Sequence, residues 1–141
     1  MNNLVLICHQ LRSAENLGAI ARVMANFGFS ELILSDPQTH DFRGAERLGI
    51  NAESVLSRFS IAPTLEEALH GVVFALGSTS RESLKRTDGV SPEQGIEWLA
   101  EHSVRGKVAL VLGGEKRGLS DDELGLCQAA IVIPTPGPQP S

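Results

Sequence analysis

The sequence predicts an α/β domain built on a parallel sheet with helices on both faces. Five short Val/Ile/Leu-rich runs lack strict alternation, as strands buried on both sides do. Helical patterns separate them, and three of the intervening stretches open on capping boxes. The chain has 141 residues, 42% hydrophobic and 21% charged, which suits one globular domain spanning residues 1–141.

The strands are expected at Leu4–Cys8, Glu31–Ser35, Val72–Leu76, Lys107–Leu112 and Ala130–Ile133. A helix over Asn16–Phe27 places Leu17, Ile20, Ala21, Met24 and Phe27 on one face, and Gly28 stops it. Thr64 with Glu67 opens a second helix, Ser91-Pro92 with Gln94 a third, and Ser120 with Glu123 a fourth. A weaker helix is expected at Arg43–Leu48. In open α/β sheets ligands gather where loops leave the carboxyl ends of strands. Three loops qualify: Gly77–Arg81, Gly113–Leu119 and Pro134–Ser141.

Composition narrows the function. A formal net charge of −5 argues against coating nucleic acid by bulk electrostatics, but leaves room for a local basic patch. Cys8 and Cys127 lie in or beside apolar runs and read as buried thiols of a reducing compartment. The four histidines are scattered, which disfavours a metal site; His9 and Trp98 read as structural. No apolar stretch approaches the ~20 residues of a membrane span and the N-terminus has no signal-peptide pattern, so a cytoplasmic protein is expected.

The Gly-rich turn "VLGGEKRGLSDDE" mimics two nucleotide-binding motifs and satisfies neither. Gly113, Gly118 and Ser120 have P-loop spacing, but Leu119 stands where the phosphate-binding lysine is required. A dinucleotide fingerprint needs glycine at its third position, where Glu115 would instead repel a pyrophosphate.

Three segments in register resemble the SpoU/TrmH-type RNA 2′-O-ribose methyltransferases of the SPOUT superfamily. They are "NLGAIARVMANFGFSELIL" (16–34), "ALVLGGEKRGLSDDEL" (109–124) and "IVIPTPGPQPS" (131–141). "LSDPQ", "AERLGINAESVL" and "GSTSR" look most like the tRNA-modifying TrmJ branch. The resemblance implies an α/β-knot fold, a homodimer, S-adenosylmethionine as donor and RNA, tRNA above all, as acceptor. The family's third motif continues Ser-Leu-Asn into a closing helix, so the resemblance also implies a domain lacking its C-terminal knot-closing segment.

Carried over position by position, the donor loops are Ser78, Thr79 and Ser80, then Gly113, then Ile133, Pro134 and Ser141. The catalytic set is Asn16, Arg22, Glu115 and Ser141. Arg12, Arg22, Arg81, Lys85 and Arg86 become candidates for RNA contact, and all five are expected on the side of the donor loops. Each has a plainer role in isolation: Arg22 as a solvated charge, Asn16 as a helix N-cap, Glu115 as a partner of Lys116 or Arg117. A guanidinium with a pKa above ~12 is a poor base, so phosphate binding and alkoxide stabilisation suit Arg22 better than proton removal. Two rivals stand beside methyl transfer: an RNA-binding module that keeps this fold without catalysis, and a doubly wound nucleotide binder. The second lacks a phosphate loop and does not explain the Asn16–Arg22 pattern.

Overall fold

A computed structural model describes residues 3–18, 31–39, 59–79, 89–113 and 119–132. In chain order these hold β1 (Leu4–His9), helix α1 from residue 14 through 18, β2 (Glu31–Ser35), β3 (Ser60–Ala62) and α2 (Leu65–Ala68). They continue with β4 (Val72–Thr79), β5 (Gly89–Val90), α3 (Pro92–Ser103), β6 (Lys107–Leu112), α4 (Asp121–Leu124) and β7 (Ala129–Val132). The helix expected at Arg43–Leu48 lies outside the described residues.

The strands form one seven-stranded sheet in the order β3-β2-β1-β6-β4-β7-β5, and every neighbouring pair is parallel. Alternation splits each central strand between two apolar layers. Val5, Ile7, Ala75, Ala109, Val111 and Ala130 face one side, where Leu65, Leu119, Leu124 and Cys127 cover them. Leu4, Phe74, Leu76, Val108 and Ala129 face the other, under Leu99 and Trp98 of α3. Both faces are thus covered, as expected for strands without a polar side. Trp98 meets Phe74 edge-on with ring centroids 6.4 Å apart, a packing role. Cys8 and Cys127 are free thiols and both are buried.

All three expected N-caps stand at their stated residues, and the full capping box is present at Ser120–Glu123. Thr64 Oγ1 accepts from the Glu67 amide at 3.1 Å and Ser91 Oγ from the Gln94 amide at 3.2 Å. At α4 the box closes in both directions: Glu123 N–H donates to Ser120 Oγ, and Ser120 N–H donates to the Glu123 carboxylate. Ser91 is exposed and caps the longest described helix, so Ser91→Ala should lower stability by ~1 kcal/mol. A shift in denaturation midpoint at unchanged slope would register it.

Four boundaries differ from expectation, the first being β1, which runs one residue past Cys8 to His9. Helix α1 starts two residues before Asn16, because Ser13 is its cap: Ser13 Oγ accepts from the Asn16 amide at 3.2 Å. Asn16 therefore sits in the first turn, which frees its side chain from capping. β4 runs on through Gly77, Ser78 and Thr79, which were expected in a loop; pairing with β6 on one side and β7 on the other holds them in the ladder. β7 starts one residue earlier than expected, at Ala129, and Ile133 lies outside the described residues.

Gly77 has a packing reason. A Cβ there would stand 2.8 Å from Leu124 Cδ2, 3.1 Å from Cys127 Sγ and 3.2 Å from Leu119 Cδ1. The bare backbone of β4 lets α4 and the segment preceding it settle directly on the sheet.

Candidate active site at the carboxyl edge of the sheet

Parallel strands send all their carboxyl ends to one edge, and the strand order decides which loops meet there. β6, β4 and β7 are consecutive. Thr79 pairs with Val132, and Gly77 pairs with Val111, which puts Thr79 level with Gly113 two residues further on. Thr79, Gly113 and Val132 therefore stand side by side, although the sequence separates them widely. Thr79 is buried; Ser78 and Gly113 are half-buried. β1 flanks β6 on the other side, and its exit segment carries exposed Arg12 and then half-buried Asn16.

Of the candidate residues, Arg12, Asn16, Ser78, Thr79 and Gly113 are thus brought to one edge. Arg22, Ser80, Arg81, Lys85, Arg86, Glu115, Ile133, Pro134 and Ser141 lie outside the described residues. Of the five cations expected on this side, the structure places Arg12, and it is there.

The ends of β1 and β2 are conformationally costly. Gln10 and Asp36, the residues that follow the two strands, both adopt left-handed backbone, with φ of 59° and 45°. Such a conformation costs a residue with a Cβ ~1–2 kcal/mol and persists only where the surroundings impose it. Here Gln10 N–H donates to Ser35 O at 2.8 Å, Asp36 N–H to Ala62 O at 2.8 Å, and Gln10 Nε2 to Asp36 Oδ2 at 3.0 Å.

Beside them lies a hydrogen-bonded relay that the sequence did not announce. His9, the last residue of β1, is buried and both ring nitrogens are engaged. Nε2 lies 2.8 Å from Glu123 Oε2, and Nδ1 lies 2.9 Å from Ser35 Oγ of β2. A carboxylate can only accept, so Nε2 carries the proton; the serine hydroxyl can then donate to Nδ1. The other Glu123 oxygen, Oε1, accepts from Ser120 N–H at 2.7 Å. A lone histidine ending an apolar run carries no pattern that reveals this. Glu123 was readable as a capping residue but not as the partner of His9.

A cavity of ≈ 450 Å³ opens at this end, with His9, Gln10, Asp36, Glu66, Asp122 and Glu123 in its wall. Four carboxylates make that wall unsuited to a phosphate backbone. Among the described residues no group of three or more His, Cys, Asp or Glu is placed to hold a metal, and no helix is long and apolar enough to cross a membrane.

The SpoU rRNA Methylase family model matches residues 3–141. The chain is 35% identical over 121 residues to the tRNA (cytidine/uridine/adenosine-2′-O-)-methyltransferase TrmJ of Pseudomonas aeruginosa, covering 85% of this chain and 47% of that protein. Among solved structures, TrmJ from Z. mobilis superposes with a TM-score of 0.86 at 28% identity, over 95% of this chain and 59% of that one. A probable methyltransferase from Bordetella pertussis gives 0.85 at 31%, over 99% and 86%. The chain spans about half the length of the curated relatives it matches. These likenesses establish the SPOUT-type fold expected from the motifs. The stretch after Val132, where the knot would form, lies outside the described residues. With the family model running from the first strand to the last residue, the chain belongs to the SpoU rRNA Methylase family.

Proposed function

We propose that the protein transfers a methyl group from S-adenosylmethionine to a ribose 2′-hydroxyl of RNA, with tRNA as the substrate class. One observation carries the reading: the strands that precede the three donor-loop motifs, β4, β6 and β7, are immediate neighbours in the sheet. Residues far apart in sequence thereby converge on a single ligand-sized region, at the edge where parallel sheets bind ligands. The tRNA preference follows from the relatives named TrmJ and from the quoted segments that resemble that branch.

The described residues fit an adenosyl group. Gly113 has no side chain to bar close approach to its backbone, and half-buried Ser78 carries a hydroxyl that can donate or accept, next to buried Thr79. Ser80, Ile133, Pro134 and Ser141 would complete the donor site. When bound, S-adenosylmethionine supplies an activated methyl group on a sulfonium. The protein's own contribution is to hold the ribose hydroxyl in line with that group and to stabilise the charge that develops on its oxygen. Arg22 would clamp the adjacent phosphate and the developing alkoxide, with Asn16 on the same helix orienting the acceptor. Glu115 would organise the loop or offset the positive charge. The pairing of an acceptor-side helix with donor loops fits a homodimer that shares its sites between subunits.

Incubating the complete natural protein with radiolabelled donor and bulk tRNA tests the reading: label in the ribose 2′-O position is the expected result. Retained tRNA binding without transfer would instead favour the non-catalytic RNA-binding module. Arg12 adds a graded check. Because it is an exposed cation at the reactive edge, Arg12→Ala should weaken binding of different tRNAs by a similar factor and lower the salt-dependence slope by about one. Filter binding at several salt concentrations measures both.

A further inference from the structure

We infer that His9 is a positioning residue for the loop between β6 and α4, acting through Glu123. The functional consequence rests on the reading of that loop as part of the methyl-donor site.

Helix α4 is four residues long, too short to hold its direction by helical cooperativity. Its first turn fixes where the loop that starts at Gly113 comes to an end. Leu119 and Leu124 anchor the segment to the sheet by apolar contact, which sets its depth but tolerates sliding. Direction comes from the Glu123 carboxylate. One oxygen holds the Ser120 amide at 2.7 Å and the other holds His9 Nε2 at 2.8 Å.

A capping-box glutamate is ordinarily free on its outer side. This one is fastened to a ring that is itself immobilised. The His9 side chain is 7% exposed, its backbone is paired with Ser35 in the ladder, and its Nδ1 is held by the Ser35 hydroxyl. The relay therefore ties the far end of the loop to β1 and β2, the strands that lead to α1 and to the strained Asp36 turn. Ser120, where that loop ends, and the start of α1 are thus referenced to one pair of strands, the kind of support near-attack geometry demands.

Two amide substitutions separate the two ring nitrogens. A glutamine can place its Nε2 near the position of the histidine Nε2 and so keep the bond to Glu123. An asparagine reaches only the position of Nδ1 and keeps the bond to Ser35. In the complete natural protein, His9→Asn should raise the exchange rate of the Ser120 amide by ~10-fold, as expected when a local closure is lost. It should weaken calorimetric binding of S-adenosylhomocysteine by ~5–10-fold, the scale of about 1 kcal/mol. His9→Gln should stay within ~2-fold of wild type on both measures, while the two variants lose comparable amounts of thermal midpoint.

Glu123→Gln offers a second route should both ring substitutions fold poorly. Its amide oxygen can still accept from Ser120, and its amide nitrogen can donate to His9 Nε2 once the ring proton moves to Nδ1. It should behave as wild type, whereas Glu123→Ala should mimic His9→Asn. The inference is overturned if His9→Asn leaves Ser120 exchange at the wild-type rate. Equal losses of affinity in His9→Asn and His9→Gln, tracking thermal midpoint, would also overturn it. Wild-type protein that fails to bind S-adenosylhomocysteine while showing the exchange pattern would remove the donor-site reading and leave the positioning role standing.

Discussion

Arg22→Ala in the complete natural protein should lower methyl-transfer turnover by ~10²-fold or more while leaving donor affinity within a few-fold. The asymmetry follows from the proposed division of labour. In that proposal Arg22 acts on the acceptor side, following Asn16 in the first motif, whereas the proposed donor segments follow β4, β6 and β7. Arg22→Lys should rescue little, because an ammonium is a point charge and cannot reproduce a planar fork against a phosphate. Mixing Arg22→Ala chains with Gly113→Trp chains tests the shared site. Mixed dimers should recover part of the activity, since one of their two sites would combine an intact arginine with an intact donor loop. Heterodimers that form and stay inactive would exclude that sharing, and a fully active Arg22→Ala would remove Arg22 from the mechanism.

The second large effect is structural. Gly77→Val should destabilise the fold by ~1–3 kcal/mol, the usual range for overpacking a dense core. Valine ordinarily favours a strand, so a propensity argument would predict the opposite sign. The contacts decide against propensity: the first carbon alone would come within 2.8 Å of Leu124 and 3.1 Å of Cys127, both buried, and valine adds two more. Pushing Leu124 outward also moves the segment that carries Ser120 and Glu123, so donor affinity should fall along with stability. A double variant, Gly77→Val with Leu124→Ala, should recover part of the loss instead of adding the two costs. Urea denaturation of the single and double variants measures this coupling.

The contrast between strands shows what made parts of the fold legible. β1, β2 and β6 are apolar runs whose side chains are mostly buried or half-buried, and hydrophobicity alone locates them. β3 and β5 went unread. They have three and two residues, lie at the two edges of the sheet, and are mostly exposed, so no apolar run marks them. The Gly-Ser-Thr end of β4 looked like a loop for a related reason: neighbouring strands bury it, and its own side chains do not advertise that. Of the proposed site residues, Asn16, Thr79 and Gly113 could be singled out by motif spacing because each lies beside a recognisable element. The His9–Glu123 bond joins residues 114 positions apart, and nothing local at either end encodes it. Only the strand order brings them together.

That strand order bears on how the chain is made. β6 occupies the place between β1 and β4, with Val108 level with Leu4 on one side and with Phe74 on the other. On a ribosome, β1 to β4 all emerge before the strand that joins them. Until residues 107–112 leave the exit tunnel, β1 offers an open edge that is apolar from Leu4 to Cys8, and β4 has no neighbour on that side. Such edges recruit other chains, and pairing across about a hundred residues is slow. The central join of the sheet thus forms late in synthesis, and β7, between β4 and β5, emerges later still. Nascent chains stalled before residue 107 should therefore occupy holding chaperones, and release should coincide with the emergence of β6.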